Sequence, residues 1–200
     1  LTLSGERFDT TKEAAAFYRD ALERISALPG VEAAAITNKL PLEWQFNMPV
    51  VFPDRPDSME SVQFRMISPD YFRVMKIGVQ QGRAFTEADN GSAPPVAIVN
   101  QAFARHFLDD QNAMTRQFSI GRGANDPVRE VIGVVGDIKQ SGLDRPAPPM
   151  VFVPITQMSD KLMAIVRSFT PTHFTVRTTV PPLSLSAAIT REIGVLDPTL

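Results

Sequence analysis

The sequence contains no cysteine, which excludes disulfides, thiol nucleophiles and zinc–thiolate sites. It also lacks any apolar run near the ~20 residues that a bilayer-spanning helix requires. The stretches "PPVAIVN" and "VIGVVGDI" have the length of buried strands instead. The chain opens with "LTLSGERFDT", without a signal peptide or an initiator Met, so we expect a piece of a longer protein.

An excess of either charge is also missing. The formal net charge is −2 with both signs dispersed, so no basic face for nucleic acid is expected. Apolar residues make up 44% of the 200-residue chain, which is typical of a soluble globule. A chain of this length buries about 70% of its unfolded surface and needs no metal or disulfide to fold. We expect one large domain or two small ones.

The residues that usually carry chemistry are sparse. The two histidines, His106 and His173, have no carboxylate or second histidine at metal-ligand spacing, so we expect surface or packing roles. There is no G-x-S-x-G motif, and "GRG" (121–123) and "GVVGD" (133–137) lack phosphate-loop spacing. Gly133 and Gly136 predict a bulge or a close backbone approach within a strand. Asp109 and Asp110 are expected in a solvated loop. No catalytic, cofactor or metal residue is predicted.

Helices are predicted near both ends of the chain. The first begins at a capping box formed by Thr10 and Glu13 and ends at Pro29-Gly30. The last lies in "PPLSLSAAITREIGVLD", with Leu185 and Ile189 on its apolar face. Ser68 before Pro69 predicts another helix start, and Asn100 is expected to cap a further helix. The predicted strands are "LTLS", "VEAAAIT", "VQFRMI", "PPVAIV", "RQFSIG", "VREVIGVVGDI", "PMVFVPI", "KLMAIVRSF" and "HFTVRT".

These elements predict an α+β fold. The strand–helix–strand at the beginning and the strand–helix at the end would join, with one more strand beyond Leu200, into a split βαβ ferredoxin-like (porter-like) unit. We therefore expect a discontinuous porter-like subdomain of residues 1–60 plus 160–200. Residues 61–159 would form an inserted subdomain with a small mixed α/β structure.

Two stretches leave alternatives open. Prolines punctuate residues 40–60, and within them Trp44, Phe46 and Met48 alternate with polar residues, which is typical of a half-buried extended segment. These side chains belong either to the core or to a contact with a partner protein. Arg83 in "QGRAF" forms either a structural ion pair with a buried carboxylate or a functional contact.

Four collinear segments carry a resemblance to a known family. They are "FYRDALERISALPGVEAAAITNKLPL", "ISPDYFRVMKIGVQQGRAFTEADNGSAPPVAIVNQAFARHFL", "VREVIGVVGDIKQSGLDRPAPPMVFVPI" and "FTVRTTVPPLSLSAAITREIGVLDP". Together they resemble the periplasmic core domain of MacB-like ABC-transporter permeases (the FtsX-like/MacB family). The similarity is greatest to the branch of large permeases with a duplicated membrane unit, and it covers nearly the whole chain.

This resemblance implies a domain on the periplasmic side of the bacterial inner membrane, between two transmembrane helices that are absent from this chain. It implies no catalysis and no cofactor in the domain, because ATP is used by a separate cytoplasmic domain or subunit. The domain would pass the conformational change outward by mechanotransmission. Its partners would be the transmembrane part of the same permease, the cytoplasmic ATPase and a periplasmic adaptor protein, in an intact protein that is dimeric.

Within this family Tyr71, Phe72, Gly82, Arg83 and Phe85 would be framework residues. The proline-rich stretch of residues 41–59 would form part of a distal contact face, with Trp44, Phe46 and Met48 as the candidate partner contacts. Two other functions stay open. One is a small-ligand or peptide-binding or sensor domain, with its site in a cleft between the two subdomains. The other is an enzyme with an unrecognised site.

Overall fold

The computed structural model describes residue 8 and residues 10–108, 113–121, 126–140 and 142–197. Its helices are α1 (Thr11–Ser26), α2 (Tyr71–Met75), α3 (Gln101–Phe103), α4 (Asp160–Phe169) and α5 (Ser186–Leu196). Its strands are β1 (Val31–Thr37), β2 (Asn47–Phe52), β3 (Arg55–Ile67), β4 (Val79–Gly82), β5 (Val96–Asn100), β6 (Gln117–Ile120), β7 (Arg129–Val135), β8 (Met150–Pro154) and β9 (His173–Thr178). A π-helical turn (Ala104–Leu108) continues α3, and 3₁₀ turns (Ile155–Gln157 and Pro182–Leu185) precede α4 and α5.

Most of the predicted elements are present, which confirms the α+β class. Helix α1 begins at the predicted capping box, in which the Thr10 hydroxyl accepts the Glu13 N–H at 3.2 Å and the Glu13 carboxylate accepts the Thr10 N–H at 3.2 Å. Asn100 caps α3 by accepting the Phe103 N–H. Strands β1, β5, β6, β7, β8 and β9 lie where the sequence predicts them. The strand predicted at residues 1–4 falls outside the described residues.

Six strands form a closed hydrogen-bonded ring. Around the ring the order is β2, β6, β7, β5, β8 and β3, and β3 then pairs with β2. The pairings β3–β8 and β5–β7 are parallel, and the other four are antiparallel. Strand β4 pairs with β7, β1 joins the end of β3, and β9 pairs with β1. Because the ring is closed, each of these six strands has a hydrogen-bonded neighbour on both of its edges.

Strands β5 and β8 are buried on both faces, which explains their uninterrupted apolar sequences. Successive side chains of a strand point to opposite faces. Ala97 and Val99 of β5 therefore lie in the larger core, to which α1 and α4 contribute. Val96 and Ile98 lie in a second core, which α2 covers. Strand β5 therefore lies between the two cores and contributes side chains to both.

The strand predicted from "KLMAIVRSF" is wrong, because this segment is helix α4. Its apolar side chains alternate poorly for a strand, whereas Leu162, Met163 and Val166 fall on one helical face and are buried. The Ser159 hydroxyl accepts the Leu162 N–H at 3.2 Å and caps the helix. A short apolar run is ambiguous between strand and helix, and here the cap decides.

The predicted capping role of Ser68 is also wrong. Helix α2 begins at Tyr71, and its N-cap residue is Asp70, which makes no side-chain capping hydrogen bond. The Ser68 hydroxyl instead accepts the Ile36 N–H of β1 at 3.0 Å, while the Ser68 N–H donates to the Ile36 carbonyl oxygen. Ser68 therefore extends the pairing between β1 and the chain that follows β3.

The proline-punctuated stretch forms a hairpin. Strand β2 pairs with β3 from Asn47↔Gln63 to Phe52↔Arg55, and no helix forms between them. Strand β3 is thus longer than the predicted "VQFRMI", since it begins at Arg55. It also runs through residue 60, where the sequence predicts the boundary between the two subdomains. The division into residues 1–60 plus 160–200 and residues 61–159 stays a prediction.

The two end regions of the chain are joined. Strand β9 is antiparallel to β1 along its length, with Ala34 opposite Val176. Helices α1 and α5 pack together, and Arg24 Nη1 lies 3.3 Å from Glu192 Oε2. We call residues 10–37 and 173–197 the N-terminal and C-terminal arms. They form one hydrogen-bonded unit.

Strand β7 and the chain around β4 approach so closely that only glycine fits. A Cβ on Gly133 would lie 2.3 Å from the Arg83 carbonyl oxygen. We therefore expect Gly133→Ala to lower the free energy of unfolding by about 1–3 kcal/mol, because the two backbones must separate. Urea unfolding measures this change.

Gly194 of α5 offers the matched control. A Cβ there would meet nothing within 4 Å, so Gly194→Ala should raise stability by about 0.5–1 kcal/mol through helix propensity. Equal effects of the two alanines would contradict the steric account of Gly133.

Candidate functional site

The two histidines lie apart and in different surroundings. The His106 ring packs edge-on against Phe107, with ring centroids 4.5 Å apart. His173 begins β9, and its Nε2 lies 3.5 Å from the Glu43 carboxylate, a contact that the spacing in the sequence did not indicate. Within the described ranges, no three His, Asp or Glu side chains come close enough to hold a metal ion.

Of the two glycine-bearing strings, the structure describes "GVVGD" (133–137) in full. "GVVGD" ends β7, where Gly133 serves the close backbone approach described above. Asp109, Asp110 and most of "GRG" (121–123) fall outside the described residues. None of the described helices combines the length and the apolar character that a membrane-crossing helix requires.

The structure separates the three residues predicted as core or partner contacts. Phe46 and Met48 are 6% and 8% exposed and lie in the larger core. The Phe46 ring packs against Phe64, with centroids 6.2 Å apart. The Trp44 side chain is 60% exposed. Of these three residues, Trp44 is thus the one whose side chain is largely open to solvent.

Residues 38–46, which we call the Trp44 turn, connect β1 to β2. The Glu43 carboxylate accepts the Leu40 N–H at 3.0 Å and lies 3.7 Å from Lys39 Nζ. The Lys39 ammonium is nearly buried and lies 4.2 Å from the centroid of the Trp44 ring. A cation against an aromatic face is an attractive contact. The Trp44 ring is thus in contact with the buried Lys39 ammonium.

The segment around Gln140 is hydrogen-bonded to the Trp44 turn. Gln140 donates from Nε2 to the carbonyl oxygens of Leu40 and Glu43, at 3.2 and 3.4 Å. The turn and the segment around Gln140 line an open depression of about 430 Å³. These two segments come from the two predicted subdomains, which is where the ligand-binding alternative would place its site.

Large apolar side chains stand exposed around the Trp44 turn. Leu42 and Trp44 line the depression, Leu143 follows the lining residue Gly142, and Phe169 packs against Phe46. All four are at least 59% exposed. Leu42 and Trp44 thus present an exposed aliphatic and an exposed aromatic side chain on the same depression, and such pairs are typical of protein contact sites.

The aromatic residues of "SPDYFRVMKIGVQQGRAFTEAD" build the second core. Tyr71, Phe72 and Phe85 are at most 4% exposed. The Phe72 ring packs edge-on against Phe152 of β8, with centroids 5.0 Å apart, and against Phe85 at 6.4 Å. Burial raises the pKa of Tyr71 to about 12. These side chains join α2 to the sheet.

Gly82 and Arg83 belong to the same stretch and also make structural contacts. Gly82 has φ +68°, and a Cβ there would lie 2.2 Å from the Ile132 carbonyl oxygen. Arg83 donates two hydrogen bonds of 2.7 Å to the carboxylate of Asp89, whose side chain is 6% exposed. The Arg83 hydrogen bonds hold the pKa of Asp89 below its usual value. This is the buried carboxylate that an ion pair of Arg83 requires.

Three buried cationic residues were not singled out from the sequence, namely Lys39, Arg65 and Arg129. Arg65 of β3 is fully buried and donates to the Phe64 carbonyl oxygen at 2.7 Å and to Gln63 Oε1 at 3.4 Å. Burial lowers the pKa of Arg65 to about 10. A single charged residue inside the apolar strand "VQFRMI" was the available signal.

Comparisons with known proteins identify the fold and the family. The structure is similar to the periplasmic region of MacB from Actinobacillus actinomycetemcomitans, with a TM-score of 0.59 and 16% identity, over 90% of this chain and 73% of that one. It is also similar to the extracellular domain of the noncanonic ABC-type transporter YknZ from Gram-positive bacteria, with a TM-score of 0.58 and 16% identity, over 100% of this chain and 91% of that one. No curated protein sequence matches significantly.

At this level of identity the structural matches show a shared fold. The family is shown by a sequence model described as the MacB-like periplasmic core domain, which matches residues 4–193. The chain therefore belongs to the family of MacB-like periplasmic core domains, the extracytoplasmic domains of ABC-transporter permeases.

Proposed function

We propose that this domain does no chemistry of its own and transmits an ATP-driven conformational change from the membrane part of its permease to the extracytoplasmic side. The observation that carries the proposal is the pairing of β1 with β9, which makes the two arms one unit. A movement applied to either arm then moves the other. The closed ring and the two cores are close-packed, as a force-bearing body requires.

The surroundings of the domain follow from the same proposal. Transmembrane helices of the permease would flank the chain on both sides, and a separate cytoplasmic domain or subunit would use the ATP. The intact permease would be a dimer. The porter-like unit of residues 1–60 plus 160–200 would carry the inserted residues 61–159.

We further propose that the Trp44 turn is the contact for a partner such as a periplasmic adaptor protein. The support is the exposure of Leu42 and Trp44, which line the same open depression. Phe46 and Met48 would hold the turn from the core. Tyr71, Phe72, Gly82, Arg83 and Phe85 would be framework residues, since their contacts and the pairing of β4 with β7 join α2 and β4 to the ring.

The arms should work as one unit in the complete permease. Val31 and Thr178 are register partners on the antiparallel strands β1 and β9, next to a register shift between Val31 and Ala33, and the chain has no native cysteine. Paired Cα atoms of antiparallel strands generally lie within the range that a disulfide bridges. We expect the oxidised Val31→Cys/Thr178→Cys permease to keep its ATPase rate and its transport output. Loss of output that reduction restores would contradict the proposal, because it would mean that the arms must separate.

Trp44 and Phe46 should differ in what their loss does. Trp44→Ser should weaken partner capture by the permease and leave the melting temperature nearly unchanged, because the ring is exposed. Phe46→Ser should cost about 3–5 kcal/mol of stability, because a buried ring is lost. Partner pull-down and thermal unfolding measure the two effects. Normal capture by Trp44→Ser would remove the turn as the contact.

The Arg83–Asp89 pair should make stability depend on acid. The pKa of Asp89 is lowered in the folded chain, so the unfolded chain binds more protons below the usual Asp pKa of about 3.9. The stabilisation is complete above that pH and is lost as the pH falls through the lower, folded-state pKa. Asp89→Asn should therefore cost about 1–3 kcal/mol at pH 7 and reduce the loss of stability in acid.

Asp70→Asn is the matched control, since Asp70 pairs with Arg73 on the surface, where both side chains are at least 50% exposed. It should leave the acid dependence as in the wild type. Urea unfolding from pH 7 down to pH 3 compares the variants. An Asp89→Asn profile parallel to that of the wild type would contradict the role of the pair.

A further inference from the structure

An arginine of the C-terminal arm is hydrogen-bonded to helix α2. Arg177 of β9 donates from Nε to the Val74 carbonyl oxygen at 2.8 Å, and its Nη2 donates to the same oxygen. The two residues are 103 positions apart in the sequence, so it is the fold that brings them together. Through this pair the arm reaches the helix that covers the second core.

The Val74 carbonyl is an acceptor that the helix itself does not use. The last four carbonyls of a helix have no partner within it. In α2 the Phe72 carbonyl accepts the Ile77 N–H from the chain that follows. Val74 is buried, and a buried carbonyl without a hydrogen bond is costly. Arg177 supplies the donors, as basic side chains do at the carbonyl end of many helices.

Small side chains on β1 accompany this contact. Arg177 is opposite Ala33 in the β1–β9 pairing, and directly opposite residues lie on the same face of a sheet. Ala33 and Ala35 belong to the second core, as Val74 does. The Arg177 side chain and α2 therefore lie on the same face of the ribbon formed by β1 and β9.

The contact lies away from the hydrogen bonds that join β1 to the chain after β3. Those bonds are at the other end of β1, where Ile36 exchanges hydrogen bonds with Ser68. Ala33, opposite Arg177, is three residues earlier, which is about 10 Å along a strand. Two attachments at this separation fix the angle between the ribbon and the second core, whereas one attachment leaves the angle free to vary.

Apolar packing also holds the ribbon, since α1 enters the larger core and α2 the second core. The hydrophobic effect is not directional, so packed elements can still slide by small amounts. A charged pair of hydrogen bonds to one oxygen sets both a distance and a direction. Arg177 thus adds a directed connection to a contact that packing alone does not fix.

We infer that Arg177 is a positioning residue that passes a displacement of the C-terminal arm to α2, and through α2 to the second core. This inference rests on the transmission proposed above. Beyond α2 the path is the Phe72 ring, which packs edge-on against Phe152 of β8. Without the two Arg177 bonds, the arm shifts over α2 and the six-stranded ring follows it incompletely.

The test compares Arg177→Met with Arg177→Gln in this chain. The Met side chain places a methyl group where arginine has Nε, whereas Gln places an N–H donor there. Arg177→Met therefore loses both bonds, and Arg177→Gln keeps one donor. Amide hydrogen exchange at Ile77 should become roughly 10-fold faster in Arg177→Met, with a smaller change in Arg177→Gln and none in β5.

Distances between spin labels report the angle of the arm. The chain has no cysteine, so Gln81→Cys on β4 and Thr190→Cys on α5, both at exposed positions, carry the only labels. Double electron–electron resonance should give a narrow distance distribution in the wild type and a broad one in Arg177→Met. Arg177→Gln should lie between them, and this variant carries the test if Arg177→Met does not fold.

Arg191→Met is the matched control, because Arg191 is an arginine of α5 in the same arm with a 71% exposed side chain. It should keep the wild-type exchange at Ile77 and the wild-type distance distribution. The inference fails if Arg177→Met matches the wild type or if Arg191→Met changes equally. It also fails if Arg177→Gln changes as much as Arg177→Met, because the charge and not the hydrogen bonds would then be responsible.

The complete permease, labelled at the same two positions, separates this inference from the proposed function. On addition of ATP the distance should stay constant in the wild type and change in Arg177→Met, because the arm then moves without the six-stranded ring. A constant distance in both overturns Arg177 as the transmitting residue. A distance that changes in the wild type overturns the transmission by one rigid body proposed above.

Discussion

Strand β1 is hydrogen-bonded on both of its edges, and the rest of the domain depends on this double pairing. On one edge it holds β9 from Val31 to Thr37. On the other, Ile36 exchanges hydrogen bonds with Ser68 just after β3. The alanines of "VEAAAIT" are small, so helices pack closely on both faces of the strand. The arms, the ring and both cores meet here.

The Trp44 turn takes its properties from its place after β1. The chain leaves the strand at a buried position, so Lys39 is carried into the interior and must be balanced there by Glu43. Five residues after Lys39 the chain is at the surface and exposes Trp44. The exposed Trp44 ring is thereby joined, through the turn, to the strand that links the arms.

Much of the fold was predictable because its signals are local. The capping box at Thr10, the cap at Asn100 and the apolar runs of β5 and β8 each depend on neighbours in sequence. Helix α4 was not predicted, because ten residues of apolar character suit either a strand or a helix and the deciding cap is a single serine, Ser159. Family membership also followed from the order of four segments in the sequence, none of which needs coordinates.

The candidate site was predicted only in part, because it depends on which residues the folded chain brings together. The alternation through Trp44, Phe46 and Met48 predicts one buried face. Only the folded chain shows that Phe46 and Met48 lie in the larger core while Trp44 is exposed. The contact between Glu43 and His173 has no signal in the sequence, since β1–β9 pairing creates it. Local sequence therefore determined most of the helices and strands and the family. Tertiary structure alone decided the ring, the burial of Lys39, Arg65 and Arg129, and the exposure of Trp44, because these depend on long-range pairing.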